Sequence, residues 1–461
     1  MKLLYVTPER LAKSKRFMSK LEKSHGLGLL SRIAIDEVHC CSQWGHDFRP
    51  DYKFLGILRQ QFPGVPLLGL TATASSEVID DVKTVLNLSP STLLFRAPFN
   101  RPNLFYEVIN KPSNGNQCYD LMFRIINDRF RSQAGIVYCL SKKDAEEVTS
   151  QLQGRGILAG TYHADIPAAQ RSSIHQNWIN GKLQVVVATI AFGLGIDKPN
   201  VRFVIHHSLS KSCENYYQES GRCGRDGNTA HCILLFRLAD VFRLSCMVFH
   251  ERNTLPKLYA MLNYAFQTDI CRRVLLAKSF GEKSPECDKG CDVCCGKLKK
   301  TSLVDCSEIA SHLLPDLFPT GPNNSNRLTM LKASDKIAKM TIVKKTGSQS
   351  SFVSEQILAQ MLLDGLIKED FHFTPYSTIS YLVPTATGAQ LLKSKSIALK
   401  VALPSTLQLS ADPKSSKDKT SKTKSSEITK DVGLPKAKQR KVQCDNLIEL
   451  SDDGDEDLIF D

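Results

Sequence analysis

Arg32-Ile33-Ala34-Ile35-Asp36-Glu37-Val38-His39 is the stretch that decides how this 461-residue chain folds. The run Ile33 to Ile35 is short and uninterrupted by polar residues, the pattern of a strand buried on both faces of a parallel sheet. Two carboxylates follow it at once. In open α/β sheets the chemistry gathers outside the carboxyl ends of the strands. Asp36 is therefore placed to hold the water shell of a Mg2+ ion on nucleotide phosphates, and Glu37 to orient or deprotonate an attacking water. A strand that merely happens to end in acids is the plainer alternative. The usual partner of such a pair is a Gly-x-x-x-x-Gly-Lys-Ser/Thr loop on the first strand and helix. It occurs nowhere in the sequence, and only 35 residues precede Asp36. The expectation is half of an ATP site in an N-terminally incomplete domain, from an incomplete gene model or a short isoform.

Composition bounds the rest. With 42% hydrophobic and 23% charged residues the chain is globular material for several domains. No apolar stretch approaches the roughly 20 residues that cross a bilayer, and the first residues lack the pattern of a signal peptide, so no membrane partner is expected. The formal charge is +13, yet residues 411–461 carry 10 Lys+Arg against 12 Asp+Glu, so the first 410 hold 50 against 35, or +15. The excess sits on the body and suits a polyanionic partner. Most of the 15 cysteines are scattered, and disulfides are not expected.

Short apolar runs at Leu3 to Val6, Ile33 to Ile35 and Leu67 to Leu70 alternate with helical sequence and define a first α/β unit, 1–98. The pattern restarts at Phe99-Asn100-Arg101-Pro102-Asn103, with strands at Gly135 to Cys139, Val185 to Ala188 and Phe203 to His206, giving a second unit, 99–239. Residues 240–298 read as helices and a cysteine cluster, 299–400 as a mixed module ending in aromatic alternation, and 401–461 as a disordered tail.

Five constellations carry chemistry. Trp44, Phe48 and Arg49 lie in an aromatic, cationic, glycine-containing loop able to stack on bases; packed core aromatics are the alternative. In Tyr217-Gln218-Glu219-Ser220-Gly221-Arg222-Cys223-Gly224-Arg225-Asp226, the residues Gln218, Arg222 and Arg225 stand at i, i+4 and i+7. They share one face of a helix if it persists that far, and two guanidiniums there suit a transferring phosphoryl group. Upstream, Val185 to Thr189 leads into Ala191-Phe192-Gly193-Leu194-Gly195-Ile196-Asp197, where Gly195 permits close approach to phosphate or ribose. Cys271, Cys287, Cys291 and Cys294, spaced by sixteen, four and three, suit a closed structural Zn2+ site with Cys295 left over. Finally, Phe371 to Tyr381 alternates around Thr374-Pro375-Tyr376-Ser377, a hairpin with Tyr376 at its tip. That ring either packs back or stacks on a terminal base pair.

Asp36-Glu37-Val38-His39, the loop through Tyr52 and Thr71-Ala72-Thr73-Ala74 together resemble the RecQ family of superfamily-two DNA helicases, over residues 3 to about 395. The short RecQ-like type fits best. The resemblance implies two RecA-like parallel-sheet domains, the first truncated, then a helical zinc-binding module and a winged-helix domain. It implies ATP, Mg2+ and Zn2+ as cofactors, single-stranded and forked DNA as partners, and 3′ to 5′ unwinding in DNA repair, recombination and replication. By it Asp36, Gly195, Asp197, Arg222 and Arg225 contact nucleotide, Asp197 helps couple nucleotide to DNA, and Thr7 touches the DNA backbone. Trp44 and Phe48 link DNA to hydrolysis, and Tyr376 is a strand-separating wedge. Where the family usually has alanine, Cys223 stands. The carboxylates of one sheet are expected to oppose the guanidiniums of the other across a nucleotide-sized gap. A non-hydrolysing DNA-structure-binding or strand-annealing protein is the competing expectation. In the tail, Pro435 to Lys441 suits a nuclear import signal, and Leu447 to Asp453 resembles a SUMO-interacting strand. A homo-oligomer is also compatible.

Overall fold

The computed structural model describes residues 3–405 apart from 44–47, 73–74, 98, 194–195, 252, 284–285, 288, 299–300 and 320–325. Trp44, Gly195 and both tail motifs lie outside the described residues.

Isoleucines and a small alanine make β1 (Ile33–Ile35), which runs parallel to β2 (Leu67–Gly69) with Ile33 opposite Leu67. Helices Pro8–Lys13, Lys15–Gly26 and Ser76–Val85 pack around this pair, and Ile35, Val38, Leu55, Leu58, Phe62, Val78 and Val82 give it a core of its own. The strand expected at Leu3 to Val6 does not form. Leu3, Leu4 and Tyr5 are 67%, 45% and 88% exposed. An apolar run becomes a strand only when a neighbour accepts its hydrogen-bond ladder, and no described strand does so here. Thr7 instead caps the first helix, its side chain accepting from the Arg10 amide.

The second unit is a six-stranded sheet in the order β3 (Leu104–Asn110), β8 (Ala230–Phe236), β7 (Phe203–His206), β4 (Gly135–Tyr138), β6 (Val185–Ala188) and β5 (Ala159–Tyr162), every pairing parallel. Alternation sends successive residues to opposite faces. Ile136, Val186, Ala188 and Val204 join one core, while Val137, Val185, Val187, Phe203 and Ile205 join another. Both faces are therefore covered, as parallel sheets require. Gly135 is obligatory at its place, because a Cβ there would sit on the Phe203 ring.

Helices Leu238–Val248, Thr254–Phe266 and Arg272–Ser279 follow, and then the cysteine loop. That loop docks on β3, an edge strand. The Tyr106 amide donates to the Gly290 carbonyl at 3.2 Å, and the Asp292 amide to the Tyr106 carbonyl at 2.9 Å. An exposed edge is thereby partly paired. Arg272 and Asp292, both 1% exposed, form a salt bridge beneath it.

The last module has helices Ser307–Leu313, Met330–Ala338 and Ser350–Leu363 before the antiparallel hairpin β10 (Ile367–Phe373) and β11 (Thr378–Pro384), the element order expected of a winged helix. Strands β9 (Thr301–Asp305) and β12 (Lys400–Pro404) pair antiparallel and close it, which carries the module past the expected boundary at 400. No described helix is long and apolar enough to cross a membrane, and all described cysteines are free thiols.

Candidate functional site

Asp36 and Glu37 leave β1 where it ends. The Leu70 amide donates to the Ile35 carbonyl and the Val38 amide to the Leu70 carbonyl, each at 2.8 Å, so both strand ends hold the acidic pair. Glu37 adopts φ 48°, ψ 44°, a left-handed conformation that a side chain with a Cβ takes only under constraint. Asp36 accepts from the Glu37 amide at 2.9 Å and is exposed, an oxygen ligand open to a hydrated Mg2+ ion. Beside it His39, 2% exposed, sets Nδ1 3.3 Å from a Glu37 carboxylate oxygen and 2.8 Å from the Thr71 hydroxyl. A carboxylate that would handle water is thus tied through an imidazole to the segment leaving β2. His39 and Thr71 are absent from the residues singled out by sequence. The signal was present in the quoted tetrapeptide and in Thr71-Ala72, but sequence supplies no distance between them.

The arginine motif corrects one expectation. Helix Cys213–Ser220 stops at Gly221, so Gln218 lies on the helix while Arg222 and Arg225 lie on the loop beyond it. Gly224 and Gly227 take φ of 62° and 79°, where helical hydrogen bonding cannot continue, and the Gly224 amide donates across to the Val201 carbonyl at 2.9 Å. The loop gathers its cations on the motif from β6. Arg222 donates to the Gly193 carbonyl, and Arg225 donates to the Asp197 carboxylate at 3.1 Å. Among the described residues Arg222 Nε is buried without a hydrogen-bond partner, a donor suited to an anionic oxygen, so the residues present fit a nucleotide phosphate. Cys223 is fully buried, donates to the Ser220 carbonyl at 3.1 Å and lies 3.7 Å from the Cys232 sulfur, so the thiol is accommodated. Acidic pair and arginine loop belong to separately packed cores.

The predicted metal ligands come together. The sulfurs of Cys271, Cys287, Cys291 and Cys294 all lie within 4.8 Å of one another, with Cys271 to Cys291 at 3.9 Å and Cys287 to Cys291 at 3.8 Å. A tetrahedral Zn2+ with bonds of about 2.3 Å places its sulfurs about 3.8 Å apart, so the four residues fit the ion. Without a cation such crowding opposes ionisation. The Cys291 thiol is pushed up to about 12, first by the hydrogen bond shared with Cys271 and then by burial. Cys295 turns away and donates to the Asp292 carbonyl.

Of the residues expected at DNA, Thr7 is a helix cap, and Phe48 is 37% exposed with the Lys53 ammonium 5.4 Å from its ring centre. Arg49 donates its amide to the Cys40 carbonyl at 2.9 Å. Tyr376 is 97% exposed in a four-residue turn that the Thr374 amide closes on the Ser377 carbonyl at 2.9 Å. The hairpin that presents it is firmly seated. Buried Glu369 accepts from Ser245, Ser380 and Tyr259, and Phe249 stacks on Phe371 with ring centres 4.7 Å apart.

Comparisons with known proteins agree with this arrangement. Residues 1–82 match the DEAD/DEAH box helicase model, 117–227 the helicase conserved C-terminal domain, and 238–295 the RecQ zinc-binding model. The chain is 48% identical over 395 residues to ATP-dependent DNA helicase Q1 of Mus musculus, which covers 83% of this chain and 60% of that protein. It is 45% identical over 442 residues to ATP-dependent DNA helicase Q1 of Rattus norvegicus, covering 93% of this chain and 70% of that protein. Against the Pongo abelii protein of the same name the figures are 47% over 411 residues, 87% and 62%. The chain spans about three fifths of the length of most of these relatives. With DEAD-box, helicase C-terminal and RecQ zinc-binding matches in that order over residues 1–295, and with relatives matched over most of its length, the chain belongs to the RecQ family of DNA helicases.

Proposed function

We propose that this chain is the motor and DNA-holding body of a RecQ-type ATP-dependent DNA helicase that moves 3′ to 5′ on single-stranded and forked DNA. The observation that carries the reading is the buried Nε of Arg222, without a partner among the described residues, on a loop whose other cation, Arg225, is braced by Asp197. A guanidinium poised for an anion supports phosphoryl chemistry more than passive DNA binding. Bound ATP with Mg2+ supplies the anhydride bond whose cleavage drives movement. Asp36 would hold the water shell of the ion, and Glu37, braced by His39, would orient the attacking water. Arg222 and Arg225 would neutralise charge on the phosphoryl oxygens. Gln218 lies half-buried on the preceding helix, within the same motif. Zinc supplies a structural crosslink, and Tyr376 the wedge at the fork. The +15 carried by the first 410 residues supports a phosphate-backbone partner.

Repair, recombination and replication in the nucleus follow as the setting. The tail adds a proposed contact with SUMO or SUMO-modified proteins, and self-association is open to measurement by sedimentation. The direct test is strand separation on duplexes bearing a single-stranded tail at one end. Unwinding that requires ATP and a 3′ tail supports the proposal. Equal separation from 5′ tails removes the polarity, and DNA binding with no ATP-dependent separation leaves a binding or annealing protein.

A further inference from the structure

Residues 99–104, which open the second unit, form a strap gripped from two sides. On one side stands the arginine loop. Arg101 donates to the Gly221 carbonyl at 2.7 Å and the Gly224 carbonyl at 2.6 Å. Asn103 donates to the same Gly224 carbonyl at 2.7 Å and to Asn228 at 2.9 Å. Tyr217, one residue before Gln218, donates to the Phe99 carbonyl at 2.8 Å and stacks on the Phe99 ring with centres 3.7 Å apart. On the other side stands the zinc-binding module. Arg273, two residues after the ligand Cys271, is 5% exposed and donates to the Asn100 side chain and to the carbonyls of Arg101, Pro102 and Leu104 at 3.1, 2.9 and 2.7 Å. Phe280, at the end of the same helix, packs on Phe99 with ring centres 4.1 Å apart. The cysteine loop closes over this contact. A Cβ on Gly290, between Cys287 and Cys291, would collide with the Arg273 guanidinium.

We infer that Arg101 is a positioning residue for the arginine loop, and that Arg273 fastens the strap so that the fold of the cysteine loop sets the geometry of Arg222 and Arg225. A buried guanidinium that meets only oxygens of one segment fixes that segment, because moving it strands a desolvated charge. Among the described residues no carboxylate pairs with Arg273 and its Nε is buried without a partner, so the strap oxygens are what its two Nη groups bond. Arg101 in turn bridges two carbonyls on either side of Arg222 and Cys223, where the loop leaves the helix and turns left-handed. The guanidinium fork meets them through two separate nitrogens, Nη1 and Nη2, a geometry that the single Nζ of a lysine does not reproduce. Asp226, held by Arg202 at 2.6 and 2.8 Å, anchors the far end of the loop, which leaves Arg101 in charge of the end that carries Arg222.

The inference rests on the proposed phosphate role of Arg222 and Arg225 only for its functional meaning; its structural content is tested separately. Amide hydrogen exchange on the full chain reads the loop directly. Arg101→Ala is expected to speed exchange across 221–228 by about tenfold or more while Val185–Ala188 stays unchanged. Arg101→Lys, reaching one carbonyl, is expected to restore part of the protection, a rescue that simple cavity filling would not produce. Gly290→Ala, which keeps all four thiols, is expected to speed exchange in the same segment with zinc content per chain unaltered. Binding of a fluorescent ADP is expected to weaken about tenfold in Arg101→Ala, in step with the lost loop order. Exchange at 221–228 that is unchanged in Arg101→Ala or in Gly290→Ala overturns the strap. Loss of protection throughout the chain in Gly290→Ala and Arg101→Lys alike overturns it too, since the residues would then be holding the whole fold. A wild-type chain that binds no fluorescent ADP overturns the nucleotide reading, and the exchange data still decide on the strap.

Discussion

His207 shows how far a residue can be set by what surrounds it. It follows β7, is 8% exposed, and keeps a buried Nδ1 without a partner among the described residues. Burial depresses its pKa from the ordinary 6.5 to about 3, with Lys111 and Arg243 adding to the fall and Asp144 opposing it. The sign follows from linkage. A depressed folded-state value means that the unfolded chain takes up the proton first, so the contribution is intact above about pH 6.5 and is lost as pH falls toward 3. At pH 5 the loss is about 2 kcal/mol, from roughly 1.5 units at about 1.36 kcal/mol each. His231, pushed down to about 4 mainly by burial, acts in the same direction, so a difference measurement is needed. Replacing His207 by Phe is expected to flatten the acid limb of the denaturant midpoint between pH 7 and pH 5 by that amount. An unchanged slope would mean that His207 is charged, or solvated, in the folded chain. The acidic pair is equally local: Asp36 and Glu37 are legible in the sequence, whereas the His39 bridge to Thr71 joins segments that meet only in the fold.

Among the elements, the hairpin β10–β11 separates display from support. Its base is buried at Glu369 and stacked at Phe371, while Tyr376 at the tip is 97% exposed. Tyr376→Ala is therefore expected to leave thermal stability within about 0.5 kcal/mol of wild type. Separation of a forked duplex should fall by about tenfold or more, the scale of a lost base stack of about 1–3 kcal/mol. Loss of stability together with binding would mark the ring as structural. This element was legible because strict alternation and a Thr-Pro-Tyr-Ser turn leave few other folds. The cysteine cluster was legible for a similar reason, since ligand spacing is itself geometry. Buried runs such as Val185–Ala188 were legible because a parallel sheet covered on both faces demands them. Others were not. Edge strands β3 and β5 mix buried and half-exposed residues and carry no such run. Leu3 to Val6 has the composition of a strand and no ladder to join. Whether the helix persists to Arg222 and Arg225 is not legible, because a glycine can sit within a helix, and the loop beyond Ser220 is held by hydrogen bonds to Arg101, Asn103 and Val201 from distant sequence.

At the scale of the whole molecule, chemistry is divided between modules that pack separately. The carboxylates sit on a small core around β1 and β2, and the guanidiniums on a loop bound to the six-stranded sheet and, through residues 99–104, to the zinc-binding module. On the proposed reading such a division suits a motor, because closing the modules on nucleotide would assemble a site that neither holds alone, and opening them would dismantle it. Binding alone would not need Glu37 or Arg222. Single-stranded-DNA-stimulated ATP turnover by the 461-residue chain tests this most directly, with Glu37→Gln and Arg222→Ala beside the wild type. Turnover that rises with DNA and falls by about a hundredfold or more in each variant, at unchanged thermal stability, is the expected result. Turnover that ignores DNA, or survives both substitutions, would contradict a motor built from these two modules.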